Sequence, residues 1–330
     1  MLTLEVIEEV SRLREFQGEW SLFTRTIPTL TPFQLPEWLL TWWSHFGSGK
    51  PHVLVFRHDH QIAGIHPCFL HRWNGRRQLT LIGSGISDYL DPVWQPQYSA
   101  AILEGLGNHL HDNLDWDICD WQDLSTETPL KPLKPGHRFL IETHADSPCS
   151  EVNLALPFEE FLRNRPKGLR RNLRRYGERA RAIGPVRFDV SREADAEIMN
   201  ALIDLHAARW TKTGEAGMIQ ANGSAEFLLE IAGILARSDM LRLFSLRFNG
   251  PIVAAILAFR NASTIFGYLS AFHPEYEHLD FGHALICEAL RYSQEQGFCA
   301  WNFLRGEEPY KFVWGAQPIP KCRLVIRRNA

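Results

Sequence analysis

The residues best equipped for chemistry stand close together in NFLRGEEPYKFVWGA, residues 302–316, where Arg305, Glu307, Glu308, Tyr310 and Lys311 follow a β-rich run. A carboxylate pair beside a phenol suits proton transfer. Glu307 and Glu308 are candidates for removing or orienting an amine proton, a role that requires burial or an aligned water because an ordinary glutamate is a weak base at neutral pH. Tyr310 is a candidate proton donor to a leaving group, and Arg305 and Lys311 can hold a carboxylate or phosphate. The same four charges can equally form an ion-pair network beneath Tyr310 and Trp314.

A second group lies in LHAARW, residues 205–210. His206, Arg209 and Trp210 suggest a pocket wall, with Arg209 on an anion and Trp210 against substrate. An arginine and a tryptophan at the end of an amphipathic helix can also simply pack together.

The strongest charge signal is RNRPKGLRRNLRRYGERAR, residues 163–181, with eight arginines and one lysine against Glu178, in a chain whose formal charge is -3. Leu169, Leu173, Tyr176, Ala180 and Ile183 recur at spacings of four and three, the apolar face of a helix. Arg170, Arg171, Arg174 and Arg175 flank or oppose that face. Guanidinium groups are planar, permanently charged forks for phosphate oxygens, so Arg170, Arg171 and Arg174 are candidate substrate-binding residues. A solvated helix face is the competing explanation, and a long nucleic acid finds no helix-turn-helix, zinc-finger or RNA-binding signature to support it.

Other chemistries lose support. There is no HExxH, no clustered Cys/His pattern, no GxSxG and no Walker A sequence, and GSGIS at residues 83–87 is too short to establish dinucleotide binding. The six cysteines are dispersed without a CxxC pair, which predicts reduced thiols and an intracellular protein. The first residues are acidic and lead into no long apolar run, so no secretory leader is expected. The most apolar strand-like stretch, residues 252–259, is far short of the roughly 20 residues a membrane-spanning helix needs, and cytoplasmic residence is the expectation.

These residues need a scaffold, and 330 residues with 45% apolar content suffice for two domains, each with a core. Helices are expected near residues 6–17, from Pro36 to Gly47 and over residues 98–111, with strands around residues 53–56, 62–69 and 78–82 and in WDICDW. The second half repeats this order: strands at 241–248 and 252–259, a third in STIFGYLSAF, the helix GHALICEALRYSQEQG, then FCAWNFL. This predicts a degenerate internal duplication at a spacing of about 180 to 190 residues. Proline-rich segments between Asp123 and Pro157 place the boundary, giving domains 1–150 and 151–330, and KCRLVIRR reads as a closing strand.

Taken together, RRNLRRYGERA, LHAARW, the loop LDFGHA before a helix and LRGEEPYKFVWG resemble the CelD/BcsL-related branch of the GNAT acyltransferases, whose fold is similar to the duplicated Fem-type aminoacyltransferases. The resemblance implies an α/β fold of mixed sheets in two tandem GNAT-like domains, the N-terminal one degenerate and the C-terminal one active. It implies transfer of an acyl group from acetyl-CoA or another acyl-CoA, without a metal, to an amine of a small metabolite or of an envelope or polysaccharide precursor. The strand edge at Tyr268, Leu269 and Ser270 would face the acyl carbonyl, and Gly282, His283 and Ala284 would form the cofactor loop. Leu279 stands where such loops have Arg or Gln. Gly282 lets backbone approach a ligand and the following helix offers free N–H groups to an anion, although Asp280 can cap that helix instead. The Fem similarity also allows an aminoacyl-tRNA donor, and a non-catalytic phosphosugar-binding protein is a third reading.

Overall fold

The computed structural model describes residues 2–113, 115–134, 139–213 and 223–328, with side chains in the helix ending at Thr213 described as far as residue 208. The chain divides into two compact units, Met1–Pro148 with Pro320–Ala330, and Cys149–Ile319.

The first unit runs β1 (Leu2–Ile7), α1 (Val10–Arg25), α2 (Pro36–Phe46), β2 (Lys50–His58), β3 (Gln61–Trp73), β4 (Arg76–Leu81), β5 (Val93–Trp94), α3 (Ser99–Asp112) and β6 (Ile118–Ser125). The long strand β7 (Phe139–Asn153) leads into the second unit. There follow α4 (Phe158–Arg163), α5 (Lys167–Ile183), β8 (Val186–Ser191), α6 (Ala196–Thr213), α7 (Ser224–Ala236), β9 (Leu241–Phe248), β10 (Ile252–Arg260), β11 (Thr264–Phe272), α8 (Phe281–Glu295), β12 (Ala300–Arg305) and α9 (Pro309–Val313). The last strand is β13 (Gln317–Arg328).

Each unit has the same strand plan. In the first, the order is β1-β2-β3-β4-β6-β13, antiparallel except for the parallel pair β4 and β6. In the second it is β8-β9-β10-β11-β12-β7, antiparallel except for the parallel pair β11 and β12. Even the hairpins agree. Asp59 and His60 turn β2 into β3 with φ of 49° and 67°, and Asn249 and Gly250 turn β9 into β10 with φ of 54° and 107°. Two left-handed residues in a two-residue loop match the right-handed twist of the strands they join. The internal repeat is therefore a repeat of topology.

Two expectations change. The segment from residue 6 begins as strand, because Leu2, Leu4 and Val6 alternate with Thr3 and Glu5 and pair with the edge of β2; the helix starts only at Val10. The closing strand was expected in a domain spanning 151–330, yet Lys321 to Arg327 pair with Ser125 to Ile118 of β6, so the last residues complete the sheet of the first unit.

The core of the second unit is built on β9 and β10, which are apolar and buried along almost their whole length. Helices α6 and α8 pack on this sheet, α7 adds to β9, and α5 packs on α8 and on the 3₁₀ turn Pro274–Leu279. Phe244, Trp301, Phe281, Leu285 and Leu290 are among the largest side chains enclosed, each contributing roughly 1.5–3 kcal/mol through burial. Among the described residues no helix is long and apolar enough to cross a membrane.

One irregularity positions everything that follows. β11 and β12 pair only from Thr264 with Ala300 to Phe266 with Asn302. Beyond that point each strand is bulged on its other side: Tyr268 is an extra residue against β10, and Phe303 an extra residue against β7. Leu304 follows with φ of 60°, a left-handed backbone that side chains with a β-carbon seldom adopt, and the Asn302 side chain accepts its N–H at 2.8 Å. The two parallel strands thereby part. Gly267, where they part, leaves room for the Trp301 indole, which an added β-carbon would meet at 2.9 Å. Gly267→Ala is expected to lower stability by about 1–3 kcal/mol, read as a shift in the urea midpoint without a change in slope.

Candidate active site at the parting of two strands

A cavity of about 320 Å³ opens at the C-terminal end of β11, past the point where it leaves β12, beside Ala255 and Ile256 of β10. Its walls include Ser270, Ala271 and Phe272 of β11, Glu277 and Asp280 of the turn before α8, Gly282 and His283 at the start of α8, and Tyr310 of α9. Among the described residues, no lysine or arginine lines it. Its charge is therefore carboxylate.

Asp280 holds a left-handed conformation, φ 54° and ψ 41°, immediately before α8, and its side chain makes no capping hydrogen bond. The expected cap is thus not made. Burial pushes the Asp280 carboxyl above its usual range, opposed by the neighbouring His283 and its backbone amide. Gly282 has its missing side chain replaced by protein: an added β-carbon would lie 3.2 Å from Phe272. Leu279, where a polar loop residue was anticipated, is buried in the core.

His283 is held from behind. The Nε1–H of Trp314, an indole that is fully buried, donates to His283 Nδ1 at 3.1 Å. Tyr310 enters from α9, its ring edge-on to Phe303 at 6.0 Å. Tyr310, His283, Gly282 and Ser270 line this one cavity.

Other predicted residues lie elsewhere. Tyr268 is the bulged residue and packs on Phe259, and Leu269 is buried outside the cavity lining, so of the three only Ser270 lines the cavity, where Ala271 and Phe272 follow it. Lys311 does not await an anion. Its ammonium is buried and donates to the carbonyls of Leu304, Arg305 and Gly306 at 3.2, 2.6 and 3.2 Å, with Glu308 at 2.9 Å. Glu308 is thereby committed to an ion pair, Glu307 is exposed, and neither lines the cavity; the carboxylates that do are Asp280 and Glu277. Arg305 contributes its carbonyl to the Lys311 site. His206 is buried on α6, away from the cavity lining, and the side chains of Arg209 and Trp210 lie outside the described residues. Asp280 escaped notice because its importance comes from burial, which a single sequence does not display.

A second cavity of about 400 Å³ lies between α5 and α8 and shares Asp280 and Phe281 with the first. Arg170, Arg174 and Arg181 of α5 and Arg291 of α8 line it together with Leu173, Phe188, Leu246, Leu279 and Ala284. Arg171 does not face it. Arg165, one of the eight arginines, is structural: it stacks on Phe161 and donates to the Trp314 carbonyl at 2.6 Å. By contrast, Arg170, Arg171, Arg174, Arg179 and Arg181 have no ion-pair partner among the described residues, and Arg175 meets only Tyr176. Cys287 also lines this cavity, and burial pushes its thiol up to about 12, which leaves no thiolate to act as a nucleophile.

A sheet whose two central parallel strands part over a helix N-terminus matches a known architecture. Residues 167–312 match the family model described as acetyltransferase (GNAT) domain. The chain carries a GNAT acetyltransferase domain. The overall fold is similar to that of solved structures: the crystal structure of FemX superposes with a TM-score of 0.66 at 12% identity, covering 93% of this chain and 95% of that one. The C-terminal domain of a putative lysylphosphatidylglycerol synthetase from Agrobacterium fabrum gives 0.61 at 11% identity, over 95% and 92%. A conserved protein of unknown function from Bacteroides thetaiotaomicron gives 0.60 at 13% identity, over 99% and 100%. At these identities the likeness is one of fold. No curated protein matches the chain.

The Asp280 environment yields a signed prediction. A carboxyl whose pKa is raised on folding favours the folded state when protonated, and that contribution is lost as pH rises from the ordinary value of 3.8 through the raised one. Asn tolerates the same left-handed backbone without the charge. Asp280→Asn is expected to raise the melting temperature at pH 7, with the gain shrinking toward pH 4; a lower melting temperature at pH 7 would contradict the buried-carboxylate assignment.

Proposed function

We propose that the GNAT domain transfers an acyl group from an acyl-CoA thioester directly to an amine. The observation that carries this reading is the cavity past the point where β11 parts from β12, with the open strand edge at Ser270, the Asp280 carboxylate and the Tyr310 hydroxyl around one space. In the reading, the thioester lies along β11. Asp280, made more basic by burial, accepts the proton of the attacking amine, and Tyr310 protonates the departing thiolate. Cys287, with its raised pKa, supports direct transfer over an acyl-enzyme.

The donor's phosphates are assigned to the arginine-lined cavity, where Arg170, Arg174, Arg181 and Arg291 outnumber the carboxylates of Glu178, Asp280 and Glu288. Arg170 and Arg174 hold them, with Arg181 and Arg291 alongside. Within the superfamily, the residues of LRGEEPYKFVWG and RRNLRRYGERA support the CelD/BcsL-related branch, and the acceptor is an amine on a small metabolite or on an envelope or polysaccharide precursor. In the first unit, Leu90 of the long β4–β5 connection donates its N–H to the carbonyl of Asp123 in β6. Its own chain occupies the place that the cavity takes in the second unit, which supports a non-catalytic first unit.

A second reading has its own observation. Arg171 and Arg179, without ion-pair partners among the described residues, extend beyond the second cavity and exceed what a CoA requires, which favours a longer phosphate chain such as aminoacyl-tRNA. Binding to tRNA whose logarithm falls steeply with the logarithm of salt concentration would favour it.

Calorimetric titration with acetyl-CoA, CoA and dephospho-CoA tests the primary reading. Saturable acetyl-CoA binding is expected, weakened by loss of the 3′-phosphate and about tenfold in Arg170→Ala/Arg174→Ala; no binding of any of the three would overturn it. In an amine-acceptor assay Tyr310→Phe is expected to lower kcat about 100-fold with little change in KM.

A further inference from the structure

We propose that His283 is a fixed hydrogen-bond donor to the acyl oxygen of the donor, and that Trp314 is the residue that fixes it. This role rests on the acyl-transfer reading above. Indole N–H is a donor and never an acceptor, so at 3.1 Å from Trp314 Nε1 the His283 Nδ1 must present its lone pair. The neutral imidazole then carries its proton on Nε2. Trp314 is fully buried and packed, and its carbonyl is held by Arg165, so the bond has no water to exchange with and little freedom to swing away.

His283 lines the first cavity, and Trp314 is its sole hydrogen-bond partner among the described residues. Nε2 is the ring nitrogen left for a ligand. A nitrogen that already bears a proton does not take one from an amine, which removes His283 from the role of base. The charged and titratable groups around it are Asp280 and Glu277 from the turn and Tyr310 from α9. An ionised carboxylate can only accept a hydrogen bond, so Asp280 serves the amine and Tyr310 the sulfur. The acyl oxygen is left to Nε2–H and the open amides of β11.

The step balances as follows. The amine lone pair forms the C–N bond while the carbonyl π pair moves onto oxygen, where Nε2–H stabilises it. The amine proton passes to Asp280. As the pair returns to carbon, the C–S bond breaks and the thiolate takes the proton of Tyr310, which is restored through water from Asp280. The products are an amide and a free thiol, with enzyme groups unchanged. His283 stays neutral throughout and needs no proton of its own.

The test uses acetonyl-CoA, a ketone analogue with a methylene between sulfur and carbonyl, labelled with ¹³C at the carbonyl, on the full chain. In the wild type, ring ¹⁵N resonances should show His283 with Nδ1 unprotonated and Nε2 protonated, and the bound carbonyl should move downfield of free ketone. Trp314→Phe should give mixed tautomers and lose part of that shift. His283→Ala should lose most of it and lower kcat about 100-fold, and His283→Gln, which retains an N–H donor of similar reach, should recover part of both. Nδ1 protonated in the wild type, or a bound carbonyl resonance unchanged in His283→Ala, overturns the role of His283 alone. Failure of the analogue to bind the wild type overturns the acyl-CoA reading and this role with it, while the ring spectra still report whether Trp314 sets the tautomer.

Discussion

Parallel strands normally stay together because each residue pair adds hydrogen bonds, yet β11 and β12 separate after Phe266 and Asn302. The separation costs ladder hydrogen bonds, and the structure offsets that cost on both outer sides. Tyr268 is taken up as a bulge against β10 and Phe303 as a bulge against β7, so each strand stays paired on its far edge while its near edge opens. The Trp301 indole crossing over Gly267 fills the space just below the opening. Were either bulge ironed out, the strands would zip together and the space beside Ser270 and His283 would close.

The far wall of that space depends on a buried cation. Gly306, with φ of 110°, follows the left-handed Leu304, and the carbonyls of residues 304–306 converge. Three converging carbonyls inside a protein need a donor, and the Lys311 ammonium supplies it, with Glu308 balancing the charge. α9 is thereby tied to the end of β12. Because Tyr310 and Trp314 flank Lys311 in the chain, the same cation places the phenol in the cavity and the indole behind His283. What the sequence suggests as an anion-holding lysine is the fastener of the cavity residues around it.

The parts of this molecule legible from sequence are those where local pattern and tertiary role agree. The hairpins, the helix behind LDFGHA and the amphipathic α5 have short-range signals, and the order of elements exposed the repeat. Glu307 and Glu308 stand outside the cavity lining, which no local pattern announces: charge near a Tyr is visible in sequence, whereas which charge a buried lysine will claim is not. Asp280 and the Trp314–His283 bond depend on positions 31 residues or more apart in the chain or on burial, so nothing local announced them. The strand edge shows the same limit: Tyr268, Leu269 and Ser270 were expected to act alike, but the bulge at Tyr268 is a tertiary feature, and the cavity begins only at Ser270.

The exchange of closing strands has a consequence for how the chain comes to be folded. The first unit is discontinuous, its sheet finished by residues that follow the whole of the second unit. A ribosome delivers β1 through β6 early, but the strand that covers the open edge of β6, including buried Leu324 and Ile326, arrives last. The second unit, contiguous from Cys149 to Ile319, has all its strands available before then. Synthesis therefore makes every strand of the second unit before the strand that closes the first, and β6 keeps an open edge until residues 321–327 emerge, a window in which that edge is open to pairing with other nascent chains.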